Sequence, residues 1–257
     1  MATLRRMSAV LLAFDTSTEA LSVALCWPQG HLAWNGEGGA QASAALLPQV
    51  RAQMNRAGLR WADLDAIAFG RGPGAFTGLR TACAVAQGLA FGAGLPVLPV
   101  DSLLIVAEDA RAHWVPDGAA CDVAVAMDAR MGELYAARYR WDGARWAVAS
   151  EPRLCAPGAL PMSWEPKGTW PAVRAGSGLG LLPDGPSRAA GALAMTGPTQ
   201  ADDRAAALLR LAQAAWAAGE AVEAAQALPV YLRDKVALTT AERAAQTAAR
   251  GHAATPA

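Results

Sequence analysis

The sequence predicts an α/β fold made of two similar halves, and three observations lead to this prediction. Two apolar runs, Val10–Phe14 and Val123–Met127, each end at an aspartate, Asp15 in the first half and Asp128 in the second. Continuous apolar runs of this length are typical of strands buried on both faces. A turn and a second strand follow each run, and helical patterns alternate with the later strands. Such an order is typical of two α/β domains.

The first half begins with an antiparallel meander. Leu21–Trp27 and His31–Asn35 follow the first strand across short polar turns. The pattern then alternates between helix and strand. The predicted elements are a helix over Gln41–Ala57, a strand over Leu64–Phe69, a helix over Thr77–Gly92 and a strand over Val97–Val100. In the first helix, Leu46, Leu47, Val50 and Met54 form the apolar stripe.

The pattern restarts after a predicted helix over Asp101–His113. The predicted elements that follow are strands over Val123–Met127, Leu134–Trp141 and Trp146–Ser150, a loop-rich region over Pro152–Pro171, a strand running from Val173 into a glycine turn that ends at Gly180, and a helix over Ala201–Ala218. We therefore divide the chain into a first domain over 8–104, a second over 105–235 and a flexible tail over 236–257.

Composition excludes several classes of protein. Lysine plus arginine and aspartate plus glutamate each number 22, so the net charge is zero. A protein that binds RNA or DNA alone needs a surplus of basic residues. The four cysteines form no CxxC pair, and the apolar run after the first residues is too short for a signal peptide or a membrane span. We expect a cytoplasmic protein that makes no contact with a membrane.

The turn at Asp15, Thr16, Ser17 and Thr18 is a candidate phosphate or magnesium site. Backbone N–H groups of a tight turn attract anions, and a carboxylate can hold the water of a hydrated Mg²⁺. Asp128 ends the equivalent strand of the second half, so the two acids either face one cleft or are solvated turn residues. Gly176 and Gly178 resemble a nucleotide turn, although glycine-rich turns are common.

The most distinctive stretch is Gly70–Arg80, which reads GRGPGAFTGLR and lies between a strand and a helix. It has no Gly-Lys-Ser/Thr ending, so no lysine is placed to reach the β- and γ-phosphates of a nucleotide. Two interpretations stay open. The glycines permit a sharp turn with Thr77 as the helix cap, or they bind a ligand.

The helix that follows carries small residues at Ala84, Gly88 and Gly92. Each glycine inside a helix costs about 1 kcal/mol relative to alanine, so close approach of another helix is the expected compensation. That helix belongs either to the same domain or to a partner subunit, and we favour the partner.

Motifs of known catalytic sites are missing from the sequence. His31, His113 and His252 are the only histidines and none is paired at metal-ligand spacing. There is no HExxH and no GxSxG. The residues alone thus predict two α/β domains with a possible nucleotide cleft and no visible catalytic group.

Several blocks in order along the chain resemble the TsaB (YeaZ) family. Phe14–Thr18 with Ser22–Leu25 is similar to its opening strands, and Gly72–Arg80 to its signature GPGSFTGLR, with Ala75 in place of serine. Further similar blocks are Asp101–Leu103, Asp128–Arg130, Glu133–Tyr135 and Pro229–Arg233.

The resemblance implies two duplicated actin-like ATPase domains and a scaffold without catalysis of its own. It also implies pairing with a larger paralogue, TsaD, which holds the metal and transfers a threonylcarbamoyl group to tRNA, and work with a small ATPase, TsaE. The chain would then need no cofactor, and ATP and metal would be used by its partners. Alone it would form a homodimer, and it would contact tRNA only within the complex.

The helices Gln41–Ala57 and Thr77–Gly92 resemble those that form the family's dimer bundle. The resemblance places these interface residues on them: Leu46, Leu47, Val50, Met54, Thr77, Arg80, Ala84, Gly88 and Gly92. One stretch departs from the family, since Ala42-Ser43-Ala44 stands where it often has His-Ser-Glu. Two other functions remain open, an ATP-dependent phosphotransferase that uses Asp15 and Asp128, and, less favoured, a peptidase.

Overall fold

The structure is a computed structural model that describes residues 9–160, 164, 172–182, 192–194 and 203–233. These residues form ten strands and four α-helices, joined by turns and short 3₁₀ segments. The elements in chain order are β1 (Leu11–Asp15), β2 (Ala20–Trp27), β3 (Gly30–Glu37), α1 (Ala42–Ala57), β4 (Ala66–Gly72), α2 (Phe76–Ala93), β5 (Val97–Asp101), α3 (Ser102–Trp114), β6 (Cys121–Asp128), β7 (Leu134–Trp141), β8 (Trp146–Cys155), β9 (Ala172–Ala175), β10 (Ala192–Ala194) and α4 (Arg204–Ala218).

The first sheet has the strand order β3-β2-β1-β4-β5. β1 pairs antiparallel with β2 and parallel with β4, and the predicted meander of β1, β2 and β3 is confirmed. All five residues of β1 are buried, as expected for a strand with packing on both faces. The parallel strands β1 and β4 at the centre of the first sheet therefore end next to each other, at Asp15 and near Gly72.

The second sheet has the order β10-β9-β6-β7-β8. β6 pairs antiparallel with β7, β7 antiparallel with β8, β6 parallel with β9, and β9 parallel with β10. With β6 in the place of β1, the order and strand directions equal those of the first sheet. The restart of the pattern that the sequence predicts is therefore present in the topology.

Helices cover both faces of the first sheet. Buried side chains of α1 and α2 pack with Leu12 and Phe14, whereas buried side chains of α4 pack with Leu11 and Ala13. Alternate residues of β1 point to opposite faces, so the strand contributes to both clusters. α3 packs instead on the second sheet, where Leu103 joins the buried residues of β6 and β7.

α4 follows the second sheet in sequence and packs on the first. After α4 the chain continues along the first sheet, where Val222 pairs with Val97 at the β5 edge. It then crosses to the second sheet, where Leu232 packs against its core. We call residues 227–233 the C-terminal strap. Residues 204–222 therefore pack on the first sheet, although the sequence assigned them to the second domain.

Several element boundaries differ from the predictions, and β8 and α2 illustrate the causes. β8 was predicted to end at Ser150 but continues through Pro152 to Cys155. Proline has no backbone N–H to donate to a neighbouring strand, and it is tolerated here because β8 is an edge strand and its pairing with β7 shifts register at this point. α2 begins at Phe76, one residue earlier than predicted, with Ala75 as its N-cap and no side-chain cap. The prediction that Thr77 caps this helix is therefore wrong.

Some predictions fall on residues outside those that the structure describes. They are the tail over 236–257, half of the loop-rich region predicted over Pro152–Pro171, and the first two residues of the helix predicted over Ala201–Ala218. In the described part of the chain, no helix has the length and apolar character that crossing a bilayer requires.

Candidate functional site

A cavity of about 400 Å³ lies between the two halves of the molecule. The turn after β1 lines it with Ser17 and Thr18, and the turn after β6 lines it with Asp128. Ser177, which follows β9, also lines the cavity, and its hydroxyl accepts a hydrogen bond from the backbone N–H of Asp128 (3.2 Å). The two strand ends that the sequence singles out thus meet at one cavity.

Asp15 lies behind this cavity and is closed off from solvent. Its side chain is 1% exposed, and its Oδ2 forms an ion pair of 2.6 Å with Nη2 of Arg204, which is 2% exposed. Oδ1 accepts a hydrogen bond from the backbone N–H of Ser17 (3.0 Å), and Oδ2 accepts one from the Ser17 hydroxyl (2.8 Å). Both oxygens of the carboxylate are therefore occupied by donors from the chain itself.

Thr16 is also turned away from the cavity, since its hydroxyl donates to the carbonyl oxygen of Gly78 at 2.7 Å. A Cβ atom at Gly78 would overlap the carbonyl oxygen of Thr16, so only glycine lets α2 approach the turn this closely. The backbone N–H of Ala75 donates to the Ser17 carbonyl oxygen (2.8 Å). The distinctive glycine-rich stretch thus joins the β4–α2 loop to the turn after β1.

Gly176 and Gly178 let the turn after β9 pack closely against the backbone of β6. Gly176 has a φ of +119°, and a Cβ atom there would overlap the Ala126 carbonyl oxygen. The N–H of Gly178 donates to that same oxygen at 2.9 Å. Both glycines therefore fix the turn after β9 against β6, and Ser177 between them is the residue that reaches the cavity.

The turn after β6 also connects the two halves across the mouth of the cavity. Arg130 adopts a left-handed φ of +63°, which is uncommon outside glycine, and its Nη2 pairs with Oε1 of Glu19 at 2.8 Å. Arg233 of the C-terminal strap pairs with Glu133 (2.6 Å) and donates to the carbonyl oxygen of Ala129 (3.0 Å). Because Glu19 and Arg130 are largely exposed, their pair contributes little to stability.

A second, larger groove of about 1060 Å³ lies between α3, α4 and the β7–β8 hairpin. At one end the Tyr139 hydroxyl donates to Asp101 at 2.6 Å, and burial raises the pKa values of both groups. Beside it, buried Glu108 accepts hydrogen bonds from Arg111, Arg210 and the indole of Trp146. Burial by itself would raise the pKa of Glu108, but the hydrogen bonds and charges of the two arginines lower it.

The predicted interface residues divide into two groups. Leu46, Val50 and Met54 are buried in the core between α1 and the first sheet, so they are unavailable to a partner and the prediction is corrected for these three. They recur every four residues and form the single stripe that α1 buries against its own sheet. Leu47, one residue away from that stripe, is 42% exposed.

The remaining predicted interface residues lie on an uncovered face of α2. They are Thr77, Arg80, Ala84, Gly88 and Gly92, and all five are exposed. A Cβ atom at Gly88 or Gly92 would meet no other atom within 4 Å. Phe91 on the same face is 83% exposed. We call this face of α2, with Leu47 of the neighbouring α1, the helix face.

Two residues that the sequence did not single out contact the predicted site residues, Arg204 at Asp15 and Tyr231 at Arg80. Arg204 lies four residues before Leu208 on the apolar stripe of its helix, and a charge in that position indicates a buried ion pair. Tyr231 stacks against Phe76 across 155 residues of sequence, and no local pattern indicates that contact. Among the described residues no group of three or more histidine, cysteine, aspartate or glutamate side chains is arranged to hold a metal ion.

Comparison with known proteins decides the family. The chain is 36% identical over 240 residues to the tRNA threonylcarbamoyladenosine biosynthesis protein TsaB of Escherichia coli, covering 88% of this chain and 96% of that protein. The TsaB of Haemophilus influenzae is 33% identical, over 88% of this chain and 94% of its own length. This chain belongs to the TsaB (YeaZ) family.

Solved structures and a family model agree with membership of the TsaB family. YeaZ from Pseudomonas aeruginosa superposes with a TM-score of 0.76 at 40% identity, covering 87% of this chain and all of that one. A second structure, described as an uncharacterized protein with similarity to peptidase YeaZ from the same organism, gives a TM-score of 0.75. Residues 39–170 match the family model described as TsaD, tRNA N6-adenosine threonylcarbamoyltransferase. TsaB homologues are thus named for the biosynthesis of threonylcarbamoyladenosine in tRNA.

Proposed function

We propose that this chain is a non-catalytic scaffold subunit of the complex that transfers a threonylcarbamoyl group to the adenosine next to the anticodon of tRNAs reading codons that begin with A. In this proposal it has two duplicated actin-like domains, pairs with TsaD and works with TsaE in the cytoplasm. It reaches tRNA only within the complex, and the partner subunits use the ATP and the metal. The names of the TsaB relatives and the match to the TsaD family model support the assignment.

The observation that carries the non-catalytic part of the proposal is the buried pair of Asp15 and Arg204. A carboxylate that holds a hydrated magnesium ion must present an oxygen to the ligand. Here the carboxylate is 1% exposed, and a guanidinium of the chain itself neutralises it at 2.6 Å. A second cation beside Arg204 would meet charge repulsion in a medium of low dielectric constant. The Asp15 position therefore favours structural support over phosphoryl transfer.

The helix face supports the scaffold part of the proposal. Exposed Leu47 and Phe91 leave apolar surface in water, and the open space at Gly88 and Gly92 permits another helix to approach closely. Two glycines within a helix cost stability that a tight helix–helix contact would offset. We propose that the isolated chain forms a homodimer through this face and exchanges it for a heterodimer with TsaD.

Replacing Gly88 with arginine tests the scaffold. We expect Gly88→Arg to abolish both assemblies in sedimentation, because the side chain fills the space that a partner helix needs, while the circular dichroism melt stays close to that of the wild type. Ala218→Arg is the matched control, since Ala218 is exposed on α4 and lies outside the helix face. Normal assembly of the Gly88→Arg chain would show that the helix face is not the interface.

Reconstitution tests the function itself. Purified TsaD, TsaE and threonylcarbamoyl-adenylate are incubated with tRNA, with and without this chain, and modified adenosine is measured by mass spectrometry of the digested tRNA. We expect modification to depend on the wild-type chain and to be lost with Gly88→Arg. Equal modification in its absence would refute the proposal.

An ATP-dependent phosphotransferase is the alternative, and the interdomain cavity with Asp128 at its wall is the observation that favours it. The purified chain with Mg²⁺–ATP distinguishes the two. Hydrolysis that disappears in Asp128→Asn would support the phosphotransferase, and no turnover above buffer supports the scaffold.

A further inference from the structure

Arg80 is held in a fixed orientation at the edge of the helix face. Its guanidinium carbon lies 3.8 Å from the centroid of the Phe76 ring, and its Nε–H donates to the hydroxyl of Tyr231 at 3.1 Å. The Phe76 and Tyr231 rings contact each other, with centroids 5.3 Å apart. Two aromatic side chains from distant parts of the sequence thus restrict a side chain that would otherwise sample many rotamers.

Among the residues that the structure describes, none occupies the outer edge of this guanidinium. Within the described ranges, Arg80 forms no ion pair, and its two terminal amino groups have no acceptor. The terminal amino groups of an arginine present two parallel N–H bonds, here called the fork, that match the two oxygens of a carboxylate. Because the Arg80 side chain is already restricted, it loses less conformational entropy when it binds. Phe76 stacks on the face of the guanidinium and Tyr231 accepts from its Nε–H. No described residue therefore occupies the edge formed by the two terminal amino groups, which can bind both oxygens of a carboxylate.

The charge of the surrounding surface indicates what the fork receives. α1 and α2 together contain Arg51, Arg56 and Arg80 and no aspartate or glutamate. A second copy of this chain therefore brings arginines but no carboxylate on the same two helices. Exposed Phe91 and Leu47 fit a protein surface better than the phosphate backbone of RNA.

We propose that Arg80 is the anchor that receives an aspartate or glutamate side chain of the partner subunit, and that this contact favours the heterodimer over the homodimer. Phe76 and Tyr231 are positioning residues, because they fix the orientation of the Arg80 guanidinium before the partner binds. The proposal rests on the proposed function, because it assigns a residue within the interface of the scaffold.

The test replaces Arg80 with lysine, which keeps the positive charge and removes the fork. Dissociation constants are measured by analytical ultracentrifugation, for self-association and for binding to purified TsaD. We expect Arg80→Lys to weaken binding to TsaD about tenfold, the order expected for loss of one charge-assisted bidentate contact. Self-association should change less than about twofold, because α1 and α2 of a second copy contain no aspartate or glutamate to pair with Arg80. Arg153→Lys, an exposed arginine on β8, is the control and should change neither constant.

A double-mutant cycle tests the role of Tyr231. Tyr231→Phe keeps the ring and removes the oxygen that accepts from Nε–H, so we expect binding to TsaD to weaken about threefold in the wild-type background and not at all in Arg80→Ala. A merely structural role for Tyr231 would give the same loss in both backgrounds and would overturn its assignment as a positioning residue. Raising the salt concentration should weaken the heterodimer and leave the homodimer unchanged or tighter.

The outcomes separate this proposal from the one on which it rests. If the wild-type chain does not bind TsaD, the scaffold is refuted and this inference falls with it. If the wild type binds but Arg80→Lys binds equally well, or weakens both dimers alike, the scaffold stands and the carboxylate anchor is refuted. Loss of tRNA binding by Arg80→Lys with no change in subunit binding would assign Arg80 to phosphate instead.

Discussion

Replacing Arg204 with methionine is the most direct test of the role assigned to the buried ion pair. Methionine keeps much of the side-chain volume and removes the cation that neutralises Asp15. The pair is 1% and 2% exposed with a separation of 2.6 Å, so water cannot take over the lost interaction. Removing one partner of a buried pair typically costs about 3–5 kcal/mol, a large part of the 5–15 kcal/mol that stabilises an ordinary domain.

The free energy of unfolding is measured by urea denaturation followed by circular dichroism. With a slope of about 1–3 kcal/mol per molar urea, the expected loss lowers the midpoint by at least about 1 M. The double variant Asp15→Asn/Arg204→Met should recover most of the loss, because no uncompensated charge is then buried. Arg153→Met, on the exposed side of β8, should cost little.

A loss of less than about 1 kcal/mol in Arg204→Met would refute the reasoning. Such a result would mean that Asp15 is stabilised without its arginine, and the carboxylate would then be available to a metal ion. Phosphoryl transfer at Asp15 would then no longer be disfavoured.

Two further predictions concern the packing around the site. Glu108→Gln should lower the free energy of unfolding at neutral pH by about 2 kcal/mol, less than for a fully buried pair because one of its arginines is partly exposed. The pKa of Glu108 lies below its ordinary value of 4.5, so its contribution to folding stability is complete above about pH 4.5 and is lost as the pH falls through the lowered pKa. Urea titrations from pH 3 to pH 7 should therefore show that the free energy of unfolding depends less on pH in the variant than in the wild type. The same pH dependence in both proteins would contradict this prediction. Gly78→Ala should destabilise the chain by about 1–3 kcal/mol because its Cβ overlaps the Thr16 carbonyl. The matched Gly88→Ala has open space and should gain up to about 1 kcal/mol, and equal thermal melts of the two variants would refute the steric argument.

Local patterns predicted most of the secondary structure. The buried strands β1 and β6 follow from apolar runs that end at an aspartate, and α1 follows from its four-residue apolar spacing. The end of an element was predicted wrongly where pairing with a neighbouring strand sets it, as for β8, which extends past the predicted Ser150 to Cys155. Pro152 stays within β8 only because that strand lies at the edge of the second sheet, and sequence alone gives no strand order.

The candidate site could be predicted only in part. The sequence singled out Asp15 and Asp128 and left open whether both face one cleft. Asp128 lines the cavity between the halves, whereas Asp15 lies behind it and Ser17 lines the cavity instead. The burial of Asp15 could not be predicted, because its partner Arg204 is 189 residues away. The same limit applies to the helix face, where one residue of helical rotation separates buried Leu46 from exposed Leu47.

The sequence by itself determined the two halves, the absence of a lysine in the glycine-rich loop and the blocks that resemble the TsaB family, because these depend on neighbouring residues and their order. Tertiary structure decided which charges are neutralised and which surfaces stay uncovered. α4 returns to the first sheet and brings Arg204 to Asp15, while no described element returns over Gly88 and Gly92. Burial and pairing depend on distances between residues far apart in the chain, and only the folded arrangement sets those distances.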